Sequence, residues 1–251
     1  MSTIALEFLD LSFGYDGRAA VSSISGKVMT GSLTAVIGPN GSGKSTLLKG
    51  IAGILRPLHG RLKKSYATPV AYLPQLSEID RTFPATVNDL VSMGLLPSRG
   101  LFLRHGRKEH LRIENALASV GLADFADKPI SILSGGQMQR ALFARVILQN
   151  AQIILLDEPF NAVDASTTQD LLSLIRIWHT EGRTVIAVIH DPAIIKNFFP
   201  ESMLINNMLV DWGMTSAVLK NANFIQQQQL FASYIPNKHA MNASIFETDQ
   251  P

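Results

Sequence analysis

Short apolar runs, four to six residues long, recur along this chain at wide intervals. Runs of this length are typical of strands that are buried on both faces of a parallel sheet. Between the runs, leucine, isoleucine and alanine recur at helical spacing, which indicates helices packed against that sheet. The predicted buried strands lie at 33–37, 70–73, 153–156 and 184–189. The pattern therefore predicts an α/β fold.

The chain departs from this pattern near its start, in its middle and near its end. Residues 3–15 alternate loosely and are followed, after a turn at 14–17, by a second apolar series through Val28, which predicts an antiparallel β-subdomain. From about 77 to 150 the strand pattern vanishes and helical spacing takes over, so we predict a helical subdomain inserted between core segments at about 1–76 and 151–212. Asn206-Asn207 predicts a hairpin turn. The polar tail 231–251 is expected to be poorly ordered, which leaves 1–230 as the folded domain.

Composition excludes several classes of protein. Hydrophobic residues make up 46% of the 251 residues, enough for a well-filled core. The absence of cysteine excludes disulfides and thiolate metal sites. The first ten residues lack a basic segment, so we expect no signal peptide, and no apolar run approaches the roughly 20 residues that span a bilayer. A net charge of +2 is too small to indicate a nucleic-acid partner.

One segment is distinctly basic. The segment from Arg81 to Arg112 contains six Lys and Arg residues but only two acids, and most of its positive charge lies in 99–112. Such runs usually form a solvated surface, and proximity to anionic lipid is the functional alternative. Charge alone favours the solvated surface.

A glycine-rich loop connects the strand at 33–37 with the next helical pattern. Its sequence has Gly, four free positions and then Gly-Lys-Ser, which is the P-loop pattern in its required strand–loop–helix setting. Backbone N–H groups of such a loop cradle phosphates, Lys44 would reach the β- and γ-phosphates, and the Ser45 hydroxyl would bind Mg²⁺. The alternative is a chance match in a glycine turn. The predicted phosphate-binding residues are Gly38, Pro39, Asn40, Gly41, Ser42, Gly43, Lys44, Ser45 and Thr46.

Three later positions have the chemistry of a nucleotide site. Ser134-Gly135-Gly136-Gln137 opens a helix, with Ser134 as its N-cap, and exposes N–H groups that can hold an anion. Asp157 ends a buried strand and suits Mg²⁺ coordination, whereas Glu158 should point elsewhere, by strand alternation, and polarise a water. His190 ends the next strand, at the sheet edge where ligands bind. The alternatives are a plain capped helix, a solvated acidic turn and a structural histidine.

These motifs together resemble the ATP-binding subunit of ABC transporters over nearly the whole chain. Leu133-Ser134-Gly135-Gly136-Gln137 is similar to the ABC signature and lies between the P-loop and the Asp157-Glu158 strand, as that family requires. The resemblance implies a P-loop NTPase (RecA-like) core with an N-terminal antiparallel β-subdomain and an inserted α-helical subdomain. It also implies ATP hydrolysis with Mg²⁺.

The resemblance assigns further roles. Tyr15 corresponds to the aromatic residue that stacks on adenine; from its position alone, stacking and an ordinary turn tyrosine are equally favoured. Gln75 corresponds to the glutamine that touches Mg²⁺ and senses the membrane partner. Glu158 corresponds to the general base and His190 to the histidine that contacts the γ-phosphate. Asp164 corresponds to the acid of the D-loop, although Asn161-Ala162-Val163-Asp164 departs mildly from the commoner Ser-Ala-Leu-Asp.

The resemblance also implies an assembly. A head-to-tail homodimer would place Ser134–Gln137 of each copy over the P-loop of the other, with two ATP molecules between them. Its partners would be integral-membrane permease subunits and, indirectly, a periplasmic or extracellular metal-binding protein. The expected location is the cytoplasmic face of the inner membrane, as a peripheral protein.

The segment from Tyr72 to Val87 is similar to that of zinc and manganese importers, and we expect a divalent metal cargo, with zinc favoured. The six histidines are scattered and neither support nor oppose this expectation. Iron-siderophore or haem importers are the nearest alternative. A soluble ABC ATPase of DNA repair or translation lacks support, because the chain has one cassette and no cysteine, and a non-hydrolysing switch is opposed by Glu158 and His190.

Overall fold

The computed structural model describes residues 3–64, 69–96 and 106–221. The strands are β1 Ile4–Tyr15, β2 Arg18–Met29, β3 Leu33–Ile37, β4 His59–Lys64, β5 Val70–Leu73, β6 Ile153–Asp157, β7 Thr184–Val188, β8 Glu201–Ile205 and β9 Leu209–Met214. The α-helices are α1 Lys44–Ala52, α2 Val87–Ser92, α3 Arg107–Ser119, α4 Gly135–Gln149, α5 Ala165–Thr180 and α6 Pro192–Phe198.

The central sheet has the strand order β5-β6-β7-β3-β8-β9. Its strands are parallel except for β9, which runs antiparallel to β8. Every residue of β3, β6 and β7 is buried, which explains why their sequences are almost entirely apolar. This order brings the carboxyl ends of β5, β6, β7 and β3 side by side at one edge of the sheet.

A second, antiparallel sheet has the order β2-β1-β4. Its Phe8 and Phe13 join the core that also contains Leu47 and Ile51 of α1, so this sheet covers the helix that follows the P-loop. The predicted β1 and β2 are confirmed. Strand β4 is an additional strand that begins within 56–60, a segment whose Pro57 and Gly60 predict only a turn. Almost all side chains of β4 are polar and exposed, so its sequence has no strand pattern. It is a strand because its backbone pairs with β1.

The helical insert lies between β5 and β6 and is formed by α2, α3 and α4. Thr86 begins α2 with a capping box, in which its hydroxyl accepts from the Asp89 N–H while the Asp89 carboxylate accepts from the Thr86 N–H. Phe143 of α4 stacks on Trp178 of α5, with ring centroids 5.6 Å apart, and so joins the insert to the core. The P-loop NTPase fold with both subdomains is therefore confirmed.

Smaller differences from the sequence predictions occur at the ends of elements. After the P-loop, leucine and isoleucine recur at helical spacing as far as Leu55, but helix α1 ends at Ala52, because Gly53 adopts a left-handed conformation and caps it. Helix α6 was not predicted; Asp191 caps it and Pro192 begins it. Within the described ranges, no helix has the length and apolar character that a bilayer crossing requires. The predicted tail 231–251 and the first half of the basic segment, 99–105, lie outside the described residues.

Candidate nucleotide site

The loop after β3 requires glycine where other backbone segments cross it. Gly38 has φ 147°, and a Cβ there would lie 2.0 Å from the Ile205 carbonyl oxygen of β8. Gly43 has φ 92°, and a Cβ there would lie 2.6 Å from the Ala20 carbonyl oxygen of β2. The loop is therefore held between the two sheets, which fixes the direction of its N–H groups.

Lys44 lies inside the curl of this loop and is 5% exposed. Its Nζ donates to the carbonyl oxygens of Gly38 at 3.0 Å and Pro39 at 2.7 Å. Burial lowers the pKa of Lys44, although Glu158 and Asp157 oppose that shift. The ammonium group is thus already positioned at the mouth of the loop, where a phosphate chain would meet it.

The carboxylate of Asp157 is fully buried at the end of β6. Its Oδ1 accepts from Ser45 Oγ at 3.0 Å and from Gln75 Nε2 at 3.5 Å, and its Oδ2 accepts from the Tyr72 hydroxyl at 3.2 Å. Burial raises the pKa of Asp157 even though these three hydrogen bonds lower it. Tyr72, which the sequence pattern showed only as a strand residue, is therefore part of the site.

Glu158 lies just outside the strand and reaches the same site as Asp157. It has a left-handed backbone conformation with φ 52°, so the alternation that we expected to turn it elsewhere does not apply. Its Oε1 accepts from Gln75 Nε2 at 3.0 Å and lies 2.9 Å from His190 Nε2, and its Oε2 accepts from Asn161 Nδ2 at 3.1 Å. The structure thus brings Gln75, Glu158 and His190 together.

The donor set at Ser45 and Asp157 fits a magnesium ion. Mg²⁺ is usually held by oxygen ligands from one or two protein side chains together with phosphate oxygens of the substrate. The Ser45 hydroxyl and the Asp157 carboxylate supply such oxygens next to the phosphate loop. In the described part of the chain, no cluster of three or more His, Cys, Asp or Glu residues could hold a metal ion without a substrate.

A cleft of about 1310 Å³ opens over these groups. Its lining includes P-loop residues, Gln75, Glu158 and His190, and it continues along α5 and α6. Tyr15 is 48% exposed at the end of β1 and is not among the described residues that line the cleft. Ser134–Gln137 and Asp164 are likewise not among the described residues that line the cleft.

The Ser134–Gln137 segment forms a well-capped helix start. The Ser134 hydroxyl accepts from the Gln137 N–H at 3.1 Å, and the Gln137 side chain accepts from the Ser134 N–H at 2.9 Å. Asp164 caps the neighbouring helix α5, and hydrogen bonds from Ser166 and Thr167 lower its pKa. Gly135 packs so close to this region that a Cβ would lie 2.9 Å from the Ala162 carbonyl oxygen.

Asn207 is a further contributor that sequence reasoning placed only in a turn. Its N–H donates to the Ser42 carbonyl oxygen at 2.9 Å, and its side chain donates to the Ala20 carbonyl oxygen at 3.1 Å. Its own carbonyl oxygen accepts from the Ser22 N–H at 2.9 Å. Asn207 therefore joins the phosphate loop to β2.

Comparison with known proteins agrees with this geometry. The ABC transporter family model matches residues 21–161, more than half of the chain. The chain belongs to the ABC transporter ATP-binding family. It is accordingly a nucleotide-binding ATPase of the ABC type.

Individual relatives extend this likeness beyond the matched segment. The chain is 36% identical to the manganese transport system ATP-binding protein MntB of Listeria monocytogenes over 214 residues, 83% of this chain and 89% of that protein. It is 38% identical to the zinc transport system ATP-binding protein TroB of Treponema pallidum over 216 residues, 83% of this chain and 81% of that protein. Among solved structures, a metal-chelate type ABC transporter in an inward-facing conformation gives a TM-score of 0.77 at 29% identity, covering 86% of each chain.

Proposed function

We propose that this ABC ATPase drives a permease that imports a divalent metal ion, zinc or manganese. The observation that carries the coupling to a permease is the position of Gln75, whereas the metal cargo rests on the names of the relatives. Its Nε2 donates to Ser45 Oγ and to Glu158 Oε1, each at 3.0 Å, so one side chain at the start of the helical insert touches both the predicted Mg²⁺ ligand and the predicted base. A group in that position can transmit the state of the nucleotide to whatever contacts the insert.

ATP binds first through its phosphates. The N–H groups of the loop and the N-terminus of α1 receive the phosphate chain, and Lys44 exchanges the carbonyls of Gly38 and Pro39 for phosphate oxygens. Ser45, Asp157 and Gln75 would hold Mg²⁺, which would neutralise charge on the phosphate oxygens. Tyr15 stacks on the adenine ring.

Hydrolysis then proceeds at the group formed by Glu158 and His190. Glu158 accepts a proton from a water molecule whose oxygen attacks the γ-phosphorus, while the bond from that phosphorus to the bridging oxygen of ADP breaks. His190 lies 2.9 Å from Glu158 and can orient the carboxylate and donate to a γ-phosphate oxygen. The products are ADP and inorganic phosphate.

The working form is a two-fold homodimer. Ser134–Gln137 is a capped helix start that does not line the described cleft of its own chain, and it suits the γ-phosphate of ATP bound to a second copy. Two ATP molecules close the pair, in which Asp164 also lies near the shared interface, and hydrolysis reopens it. Integral-membrane permease subunits use this motion, which places the protein at the cytoplasmic face of the membrane.

The names of the relatives support the cargo. Those described above are parts of manganese and zinc transport systems, and a periplasmic or extracellular metal-binding protein would deliver the ion to the permease. A metal chelate is the second candidate, favoured by the structural likeness to a metal-chelate type transporter. Uptake of radioactive zinc, manganese and ferric siderophore by cells with and without the chain distinguishes these cargoes.

Glu158→Gln tests the ATPase mechanism. The amide keeps the size of the side chain and one oxygen that can accept from Gln75 and His190, but its NH2 group cannot accept from Asn161 and the side chain cannot take the proton. We therefore expect turnover to fall by at least about 10²-fold while MgATP still binds. The variant should accumulate as an ATP-bound dimer in size-exclusion chromatography with light scattering. Normal turnover would exclude Glu158 as the base, and failure of the chain to associate with a co-expressed permease would exclude transport.

A further inference from the structure

The segment 75–81, which follows β5, contacts three functional elements of the protein. Gln75 bonds to Ser45 and Glu158 in the nucleotide site. Glu78 forms an ion pair of 2.7 Å with Lys49 of α1, the helix that follows the P-loop. At the far end, Arg81 Nη2 donates to the carbonyl oxygens of Leu133 and Ser134, the latter at 3.2 Å.

The contact of Arg81 lies directly before helix α4. Leu133 and Ser134 are the last residues before that helix, and Ser134 is its N-cap. The Ser134 carbonyl oxygen also accepts from the Met138 N–H at 2.9 Å, so Arg81 shares an acceptor with the first turn of α4. The Arg81 guanidinium thus fixes the backbone of Ser134, which would face the γ-phosphate of ATP bound to a second copy.

Helix stability does not explain this contact. A positive side chain near the N-terminus of a helix opposes the helix dipole and is unfavourable there. The Ser134–Gln137 capping box already satisfies the helix start. The guanidinium therefore has a positional effect: it ties Ser134 to the segment that begins at Gln75.

Packing supports the same connection. Leu76, next to Gln75, has a methyl carbon 4.0 Å from where a Cβ on Gly135 would lie. Leu76 also packs against the main hydrophobic core. The segment therefore lies close to the start of α4 at both of its ends, at Leu76 beside Gln75 and at Arg81.

We propose that Arg81 is a positioning residue that couples the nucleotide site of one copy to the half-site that this copy offers to its partner. When Gln75 moves with the nucleotide, segment 75–81 carries Ser134 with it through Arg81. The inference rests on the proposed dimer. It predicts that loss of Arg81 weakens ATP-driven dimerisation while leaving the binding of ATP to the single copy unchanged.

The experiment uses the full chain carrying Glu158→Gln, with Arg81→Ala or Arg81→Lys added. Arg140→Ala is the matched control, because Arg140 lies on α4 and bonds to the Val120 carbonyl oxygen and to Asp170, away from Ser134. We measure the dissociation constant of the dimer in saturating MgATP by analytical ultracentrifugation, and the affinity of the monomer for a fluorescent ATP analogue. Thermal unfolding is recorded for each variant.

We expect Arg81→Ala to weaken the dimer by about tenfold, Arg81→Lys to weaken it less because an ammonium group can still reach one carbonyl, and Arg140→Ala to leave it unchanged. Affinity for the analogue should stay within about twofold in all of them. If Arg81→Ala does not fold, Arg81→Lys decides alone.

Two results overturn the role of Arg81. One is a dimer of the Arg81 variants as stable as that of Glu158→Gln alone; the other is a loss of analogue binding that parallels the loss of dimer. In both cases the proposed function stands as long as Glu158→Gln itself dimerises. If Glu158→Gln does not dimerise with ATP, the proposed dimer fails, and the role of Arg81, which rests on it, is overturned as well.

Discussion

Removal of the Asn207 side chain should loosen the attachment of the phosphate loop to β2 and lower the stability of the protein. Asn207 has φ 56°, a left-handed conformation that asparagine tolerates better than alanine. Its Nδ2 donates to the Ala20 carbonyl oxygen at 3.1 Å and, more weakly, to the Gly41 carbonyl oxygen at 3.5 Å. These bonds hold the loop against β2.

The magnitude follows from two separable losses in Asn207→Ala. The hydrogen bond contributes about 1 kcal/mol, and the left-handed backbone costs alanine roughly 1 kcal/mol more. The free energy of unfolding should therefore fall by about 2 kcal/mol, which lowers Tm by roughly 4–8 °C in a domain of this size. Asn207→Gly removes the amide but tolerates the backbone, so its loss should be about 1 kcal/mol.

The assay is urea unfolding together with titration of a fluorescent ATP analogue. Both Asn207 variants lose the same amide, so each should bind the analogue about two- to fivefold more weakly. Asn206→Ala, in the same turn but without positive φ, is the control and should match the parent protein. Equal destabilisation by Asn207→Ala and Asn207→Gly would refute the backbone argument, and parental stability of both would refute the role of Asn207.

Two further substitutions test the core site and the helical insert. Tyr72→Phe removes the hydroxyl that donates to Asp157 Oδ2, and hydrogen bonds to charged groups contribute about 1.5–3 kcal/mol. The variant should therefore need a higher Mg²⁺ concentration for half-maximal ATPase activity. An unchanged Mg²⁺ titration would exclude this role of Tyr72. Thr86→Ala removes the cap of α2 and should cost about 1 kcal/mol in urea unfolding at neutral pH. The Thr86 hydroxyl also donates to the Asp89 carboxylate and lowers its pKa, so the stabilisation from this bond is present above the ordinary Asp pKa and is lost as the pH falls through the lowered pKa. The difference between Thr86→Ala and the parent should therefore shrink in acid, and a constant difference would contradict this explanation.

The sequence was sufficient wherever the signal is local. The P-loop is a contiguous pattern, and β3, β6 and β7 are almost entirely apolar because the sheet buries both of their faces. The capping box at Ser134 is likewise readable within four residues. These features depend on neighbours in sequence, so they could be predicted without the fold.

The missed features depend on neighbours in space. Strand β4 is polar, and only its pairing with β1 reveals it. Tyr72 reaches Asp157 because β5 and β6 are adjacent, and Asn207 reaches Ser42 because the β8–β9 turn lies beside the P-loop. Neither contact has a signal in the spacing of the sequence, since the residues involved are far apart along the chain.

The central claim is that each working site combines the P-loop of one copy with Ser134–Gln137 of another. A mixture of Lys44→Ala and Ser134→Arg chains tests it most directly, because each variant alone lacks one half of every site. In a mixed dimer, one site has an intact Lys44 from one copy and an intact Ser134 from the other. Random pairing then predicts that two inactive proteins, combined in equal amounts, recover about a quarter of the parental ATPase rate. A mixture no more active than its separate components would contradict the shared site.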